Sequence, residues 1–239
     1  MVSSMNISRN MHSIKSGGTA WKTNFGPFEQ IRFRFLKLLY DTVSSFMMRD
    51  ASWQEPLFAS IEPKARCRVI SFGRGAISVA RTLAARIPDA NVVGADPNLK
   101  AIKTALWRVD QCSIPNLMVV EASRCGRLRF AASSFDKVVL VLALHNCIPE
   151  EKLEVAKEML RVLRHGGTLH VAAYDKPSLP GEHALLAITR YLSGPTAADS
   201  HLDGSWIEFL TKAGFVGIRR QSSCSVVGAR ISVVRARKP

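Results

Sequence analysis

Two glycines flank an arginine at Gly73-Arg74-Gly75, where a short β-branched run gives way to a helical pattern. Glycine has no Cβ, so a ligand can approach the backbone there, and a helix start offers unpaired N–H groups. Such a turn suits a nucleotide-like ligand. The next apolar run ends at Asp96, about twenty residues further on, where a carboxylate can accept hydrogen bonds from both ribose hydroxyls of an adenosine. Asp96 followed by Pro97 also reads as a helix N-cap with proline at the first helical position, and the two roles are compatible. His145 directly follows the apolar run Val138–Leu144, a place from which an imidazole can act as general base; the alternative is a ring held by hydrogen bonds in its loop. His170, inside a strand pattern, reads as structural. No His/Asp/Glu cluster has metal-ligand spacing, and Cys67, Cys112, Cys125, Cys147 and Cys224 form no CxxC, so no metal is expected. The cysteines read as reduced thiols.

The elements that position these groups alternate. Arg68–Phe72, Asn91–Ala95, Leu117–Glu121, Asp136–Leu144 and Thr168–Tyr174 are strand patterns; Ile77–Ile87, Leu99–Asp110 and Glu150–Leu163 are helical. Asp136–Leu144 has the continuous apolar run of a central parallel strand. Gly166-Gly167 is expected to cap the helix before it. The alternation predicts an α/β fold with a doubly wound sheet. A last helix, Ser205–Ala213, precedes the strands Val216–Gln221 and Arg230–Arg235. Between them Asp175–Gly204, rich in proline and glycine around a short apolar helix at Ala184–Leu192, reads as an insertion; at strand ends, insertions often cover a ligand crevice. Before the sheet, Glu29–Met48 reads as a helix with Ile31, Phe35, Leu38 and Leu39 interleaved with Arg32, Arg34 and Lys37; a domain-packing helix and a basic membrane-surface helix both fit.

The order of these pieces resembles the class I S-adenosylmethionine-dependent methyltransferases, in the broad group that includes the ubiquinone and menaquinone biosynthesis C-methyltransferases. The resemblance is carried by Val69-Ile-Ser-Phe-Gly-Arg-Gly75, Val93-Gly-Ala-Asp-Pro97, Leu128-Arg-Phe130, Ser134-Phe-Asp136, Val141-Leu-Ala-Leu-His145, Glu158-Met-Leu-Arg-Val-Leu-Arg-His-Gly-Gly167 and Ala213-Gly-Phe215. It runs from about Arg68 to Arg237. It implies a Rossmann-like sheet of seven strands, the last antiparallel, with S-adenosylmethionine across the carboxyl ends of the first, second and fourth strands. Phe72, Gly73, Arg74, Gly75, Asp96, Pro97, Ser123, Arg124 and Leu142 would line that cofactor, with Ala143 beside Leu142. Tyr40, in a Tyr40-Asp41 pair like one that often precedes the domain in this family, would line the substrate side. Three positions depart from the family pattern: Ser71 replaces an acid, Ile77 a third glycine, and Ser123-Arg124 the acid that recognises adenine. Arginine cannot accept a hydrogen bond. The expected acceptor is a small or lipid-like molecule; a non-catalytic or RNA-directed relative of the same fold is the alternative.

At 239 residues the chain divides into a tail (1–26), an N-terminal helical cap (27–60) and the main domain (61–239) with a lid-like insertion at 175–204. A content of 47% hydrophobic and 22% charged residues excludes a largely disordered chain, a collagen and a disulfide-stapled miniprotein. Lys and Arg number 33 against 19 Asp and Glu, a net charge of +14 that favours an anionic partner, nucleic acid included. No apolar run is long enough to span a membrane. A cytoplasmic protein is expected; the acid-free Met1–Phe28 also matches the composition of an organelle-targeting segment.

Overall fold

The computed structural model describes residues 26–48, 50–62, 65–99, 102–103, 114–123 and 126–239. Seven strands form one sheet: β1 (Arg68–Gly73), β2 (Asn91–Asp96), β3 (Leu117–Glu121), β4 (Phe135–Val141), β5 (Leu163–Asp175), β6 (Val216–Val226) and β7 (Ala229–Arg237). Their order is β3-β2-β1-β4-β5-β7-β6. The first five are parallel, while β7 runs antiparallel to both β5 and β6. The doubly wound topology follows from β-branched runs buried on both faces: Val69, Ile70, Val138, Val139 and Leu140 have no solvent contact.

Helices cover both faces. On one lie α1 (Pro27–Met47), α2 (Ala51–Ile61), α3 (Ala76–Arg86) and α5 (His183–Ser193), with Trp53, Leu57, Leu83 and Leu186 in the core. On the other lie α4 (Pro149–Val162) and α7 (Glu208–Ala213), with Val155, Met159, Trp206 and Leu210. The segment between β5 and α7 holds α5 and a second helix, α6 (Pro195–Asp203), which the sequence pattern did not reveal.

Three expectations need correction. Gly166-Gly167 is not the C-cap of α4: that helix ends at Val162, and Leu163 is already extended. The glycines instead form the bulge where the β4–β5 register jumps from Phe135↔Leu163 to Lys137↔Thr168. A Cβ on Gly167 would lie 2.9 Å from the Asp136 and Arg164 carbonyl oxygens. Second, β4 stops at Val141 rather than Leu144, because Leu142 turns into the left-handed region at φ 43° and Leu144–Asn146 closes a 3₁₀ turn. Third, Asp96 does not cap the next helix. Its carboxylate accepts the Asn98 N–H at 2.8 Å, and the first helical bond runs from Ile102 N–H to the Asn98 carbonyl. Of the expected helix Leu99–Asp110, residues 100–101 and 104–110 lie outside the described residues, as do residues 1–25 of the expected tail.

Candidate functional site

Parallel strands place their carboxyl ends along one edge, and the chemistry-bearing residues gather there. Phe72 pairs with Ala95, so Gly73 and Asp96 follow side by side at the ends of β1 and β2. Asp96 in turn lies opposite Glu121 at the end of β3. Gly73 takes φ 118°, and a Cβ there would stand 2.3 Å from the Val141 carbonyl oxygen and 2.8 Å from the Ala143 Cβ. This glycine is therefore required by the end of β4, whatever else approaches it. Gly75, at φ 77°, precedes α3, whose first-turn N–H groups have no partner within the helix.

Asp96 is buried, and burial raises its pKa, opposed by the Asn98 N–H bond and the Arg74 charge. Arg74 leans away from the strand ends: its guanidinium meets Asp41 Oδ1 at 2.7 Å and lies over the Tyr40 ring at 5.1 Å. Asp41 also takes Lys37 at 2.6 Å. The positive charge beside the ligand turn thus shares one acid of α1 with Lys37.

Ile77, at the position of a third glycine, packs its bulk into the fold. It is buried in α3 against Gly94 of β2, where an added Cβ would come 3.1 Å from the Ile77 Cα. Close helix–strand packing, the usual reason for a third glycine, is achieved here with the small residue on the strand and the large one on the helix. Ser71 is fully buried with an unpaired Oγ, a place where a carboxylate would sit unsolvated.

Helix α1 roofs this edge. Tyr40 Oη lies 2.6 Å from His145 Nε2, and Asn146 Nδ2 lies 2.8 Å from the same nitrogen. The Asn146 amide nitrogen can only donate, so Nε2 carries the lone pair and accepts from the Tyr40 hydroxyl as well. The ring proton then sits on Nδ1, which is buried and unpaired. Burial, reinforced by His201, Arg74 and Lys152, pushes the His145 pKa well below 6.5. Ser193 at the end of α5 donates to Asn146 Oδ1 at 3.0 Å, and Tyr174 stands edge-on to His145 with centroids 4.5 Å apart. The chain α5–Asn146–His145–Tyr40 thereby ties both roof helices to the end of β4. Lys152, fully buried, donates to the Ala197 carbonyl at 2.7 Å and Ser200 Oγ at 2.8 Å and so anchors α6.

Of the other expected site residues, Phe72 has its side chain in the core, leaving only its backbone at the edge. Pro97 is exposed beyond Asp96. Ser123 is exposed just past β3, with its Oγ accepting the Arg127 N–H at 2.8 Å. Arg124 lies outside the described residues. Leu142 is buried in its strained conformation, a state that tends to persist at functional sites. His170 is structural, between Ser60 Oγ at 3.0 Å and Thr168 Oγ1 at 2.9 Å. Sequence reasoning missed Met48, whose Cε stands 2.2 Å from where a Gly75 Cβ would be, together with Asn146, Tyr174 and His201. Only the Tyr40-Asp41 pair gave a sequence signal for the roof. Among the described residues no cluster could hold a metal ion.

Residues 69–167 match the family model of the methyltransferase domain. The Bacillus subtilis protein YcgJ superposes with a TM-score of 0.60 at 14% identity, covering 77% of this chain and 97% of that one. The fold is that of a class I S-adenosylmethionine-dependent methyltransferase. The same methyltransferase fold is seen in Haemonchus contortus phosphoethanolamine N-methyltransferase 2 in complex with S-adenosyl-L-methionine, at a TM-score of 0.61 and 16% identity over 78% of this chain and 52% of that one. It also occurs in the [4+2]-cyclase SpnF, at a TM-score of 0.60 and 15% identity over 78% of this chain and 79% of that one. In sequence, a Listeria monocytogenes demethylmenaquinone methyltransferase is 29% identical over 137 residues, 56% of each chain. The chain thus spans 56% of the length of that relative. A ubiquinone/menaquinone biosynthesis C-methyltransferase of Syntrophotalea carbinolica is 25% identical over 182 residues, 72% of this chain and 75% of that protein.

Proposed function

We propose that the protein transfers a methyl group from S-adenosylmethionine to a small, lipid-like acceptor. The observation that carries this reading is the buried Asp96 carboxylate beside Gly73-Arg74-Gly75, at the carboxyl edge of a 3-2-1-4-5-7-6 sheet. The group fits the residues present. Asp96 spends one oxygen on Asn98, and a carboxylate has acceptor capacity for ribose hydroxyls beyond that bond. The first turn of α3 offers its N–H groups. Arg74 is held by Asp41, which it shares with Lys37, so its charge is offset only in part.

When bound, S-adenosylmethionine supplies a methyl already activated on a sulfonium, and the protein contributes proximity and orientation. Asp96 would hold the ribose, and Leu142 and Ala143 would form the wall at the end of β4. Tyr40 and His145 handle the acceptor's proton. The neutral His145 already accepts the Tyr40 hydroxyl, so a proton leaving an acidic acceptor is taken by the Tyr40 oxygen as Tyr40 passes its own to Nε2. Leu185, Leu186 and Ile188 of α5 pack into the core, and Ser193 at its end bonds Asn146 beyond β4, which supports a covering role for the segment 175–204. The quinone-pathway relatives favour a phenol- or enol-bearing lipid-like acceptor.

Calorimetric titration with S-adenosylmethionine tests the reading. The native chain is expected to bind and Asp96→Ala to lose at least about tenfold in affinity, as for a hydrogen bond to a charged group. No heat from the native protein at millimolar cofactor would overturn it.

A further inference from the structure

Helix α1 has two apolar faces, and the domain uses one. Phe33, Leu36, Tyr40, Val43 and Met47 recur at intervals of three and four and pack on the core. On the opposite side Ile31, Phe35 and Leu38 form a second stripe, which Phe28 and Phe46 extend at either end; these five side chains are 64–74% exposed. Arg32 and Arg34 border the stripe, one on each side, and Lys37 lies beyond Arg34. A contiguous row of large apolar groups this exposed marks an interaction site.

We propose that the outer face of α1 is a membrane-surface anchor, lying flat in the headgroup region of a bilayer with anionic lipids. Charge selects this occupant. Of the bordering basic residues, Arg32 pairs with Glu29 and Lys37 with Asp41, which leaves Arg34, and the chain leading into the helix, Met1–Phe28, adds Arg9, Lys15 and Lys22 with no acid. This is the arrangement that binds anionic interfaces, where each basic residue near the surface adds to the apolar insertion. A second copy is the poorer partner, because each chain brings a net charge of +14 to the contact. The helix would lie on the membrane, not cross it: among the described residues no helix is long and apolar enough to span one.

The geometry also gives the anchor a purpose, which rests on the methyltransferase reading. The inner face of the same helix carries Tyr40, bonded to His145. Seating the outer face in headgroups brings the mouth of the site to the depth at which a lipid-like acceptor exposes its polar ring.

The test is co-sedimentation of the full chain with phosphatidylcholine vesicles, with and without about one-third phosphatidylglycerol. The native chain is expected to partition onto the anionic vesicles and to be released by salt. Replacing three exposed side chains together (Ile31→Gln, Phe35→Gln, Leu38→Gln) is expected to lower partitioning roughly 100-fold, with thermal unfolding and S-adenosylmethionine titration unchanged. The proposal fails if the native chain stays in the supernatant at low salt, or if the variant partitions as the native chain does. It fails too if velocity sedimentation finds a native dimer that the variant splits. Vesicle binding is read without methyl transfer, so a chain that binds vesicles but no S-adenosylmethionine defeats the enzyme reading and leaves the anchor standing.

Discussion

On the proposed reading, Asp96 joins fold and ligand in one side chain. Its Oδ1 closes the turn to Asn98, so the carboxylate is oriented before any ribose arrives. Burial raises its pKa above the ordinary 3.8, against the Asn98 bond and the Arg74 charge. Protonation converts an acceptor-only group into a partial donor, so S-adenosylmethionine affinity is expected to fall as pH is lowered, beginning above the range of a solvated aspartate. Calorimetry at pH 7 and pH 5 reads the effect, and Asp96→Asn, which has no charge to lose, removes the pH dependence. His145 behaves oppositely. Its pKa is pushed well below 6.5, so the ring stays neutral, and kcat is expected to show no loss from this group between pH 7.5 and 6.5. On the proposed proton path, Tyr40→Phe and His145→Ala act on one step. Each should lower kcat by about 10²-fold or more with unchanged cofactor affinity, and the double variant should be little worse than either. Gly73, Gly75 and Asp96 were legible in the sequence because a glycine turn and a strand-end acid are local signals. Met48 over Gly75, and Asp41 on Arg74, were not, since each joins residues brought together only by the docking of α1.

At the scale of elements, the paired ends of β1 and β4 leave no room for a side chain at Gly73. Gly73→Ala puts a Cβ 2.3 Å from a backbone oxygen at φ 118°, where neither side can yield cheaply. A loss of about 2–4 kcal/mol in unfolding free energy is expected from urea denaturation. Strands were legible from their β-branched runs, and β3 matches its expected range, Leu117–Glu121. The glycine pair at 166–167 was misread because a helix C-cap and a strand bulge both need the left-handed region, which Gly166 occupies at φ 73°; only the position of β4 decides between them. Helix α6 escaped notice because its buried residues are Ala197, Ala198 and His201, too small or too polar to write an apolar stripe. Helix α2 was hidden within the cap, with Pro56 inside it.

Over the whole molecule, part of the basic excess gathers far from Asp96. Arg66, Lys137, Arg164, His165 and Arg235 line an open cleft of about 540 Å³ near the opposite ends of the strands, where Asp136 pairs with Arg164 at 2.7 Å. Histidines set the acid limit. Burial pushes His170 and His201 down to about 3, with Lys137 and Arg235 adding to it at His170 and Lys152 at His201. The unfolded chain protonates these rings near 6.5, so it binds more protons than the folded one between about pH 6.5 and 3, and stability falls as pH drops through that window. Each such group gives a slope approaching about 1.4 kcal/mol per pH unit in the middle of the window, and His145, depressed in the same direction, adds to it. Unfolding free energies between pH 7 and 4.5 measure it, and His170→Gln, which keeps a polar partner for Ser60 and Thr168, should flatten it.

The roof helix also has a history within each molecule. Tyr40 and His145 are 105 positions apart, and α1 leaves the ribosome before the end of β4. At about 5–20 residues per second, roughly 5–20 s pass before the strand end it must cover exists. For that time both apolar faces of α1 are bare, so the nascent chain should engage a chaperone or a lipid surface before its own sheet is made.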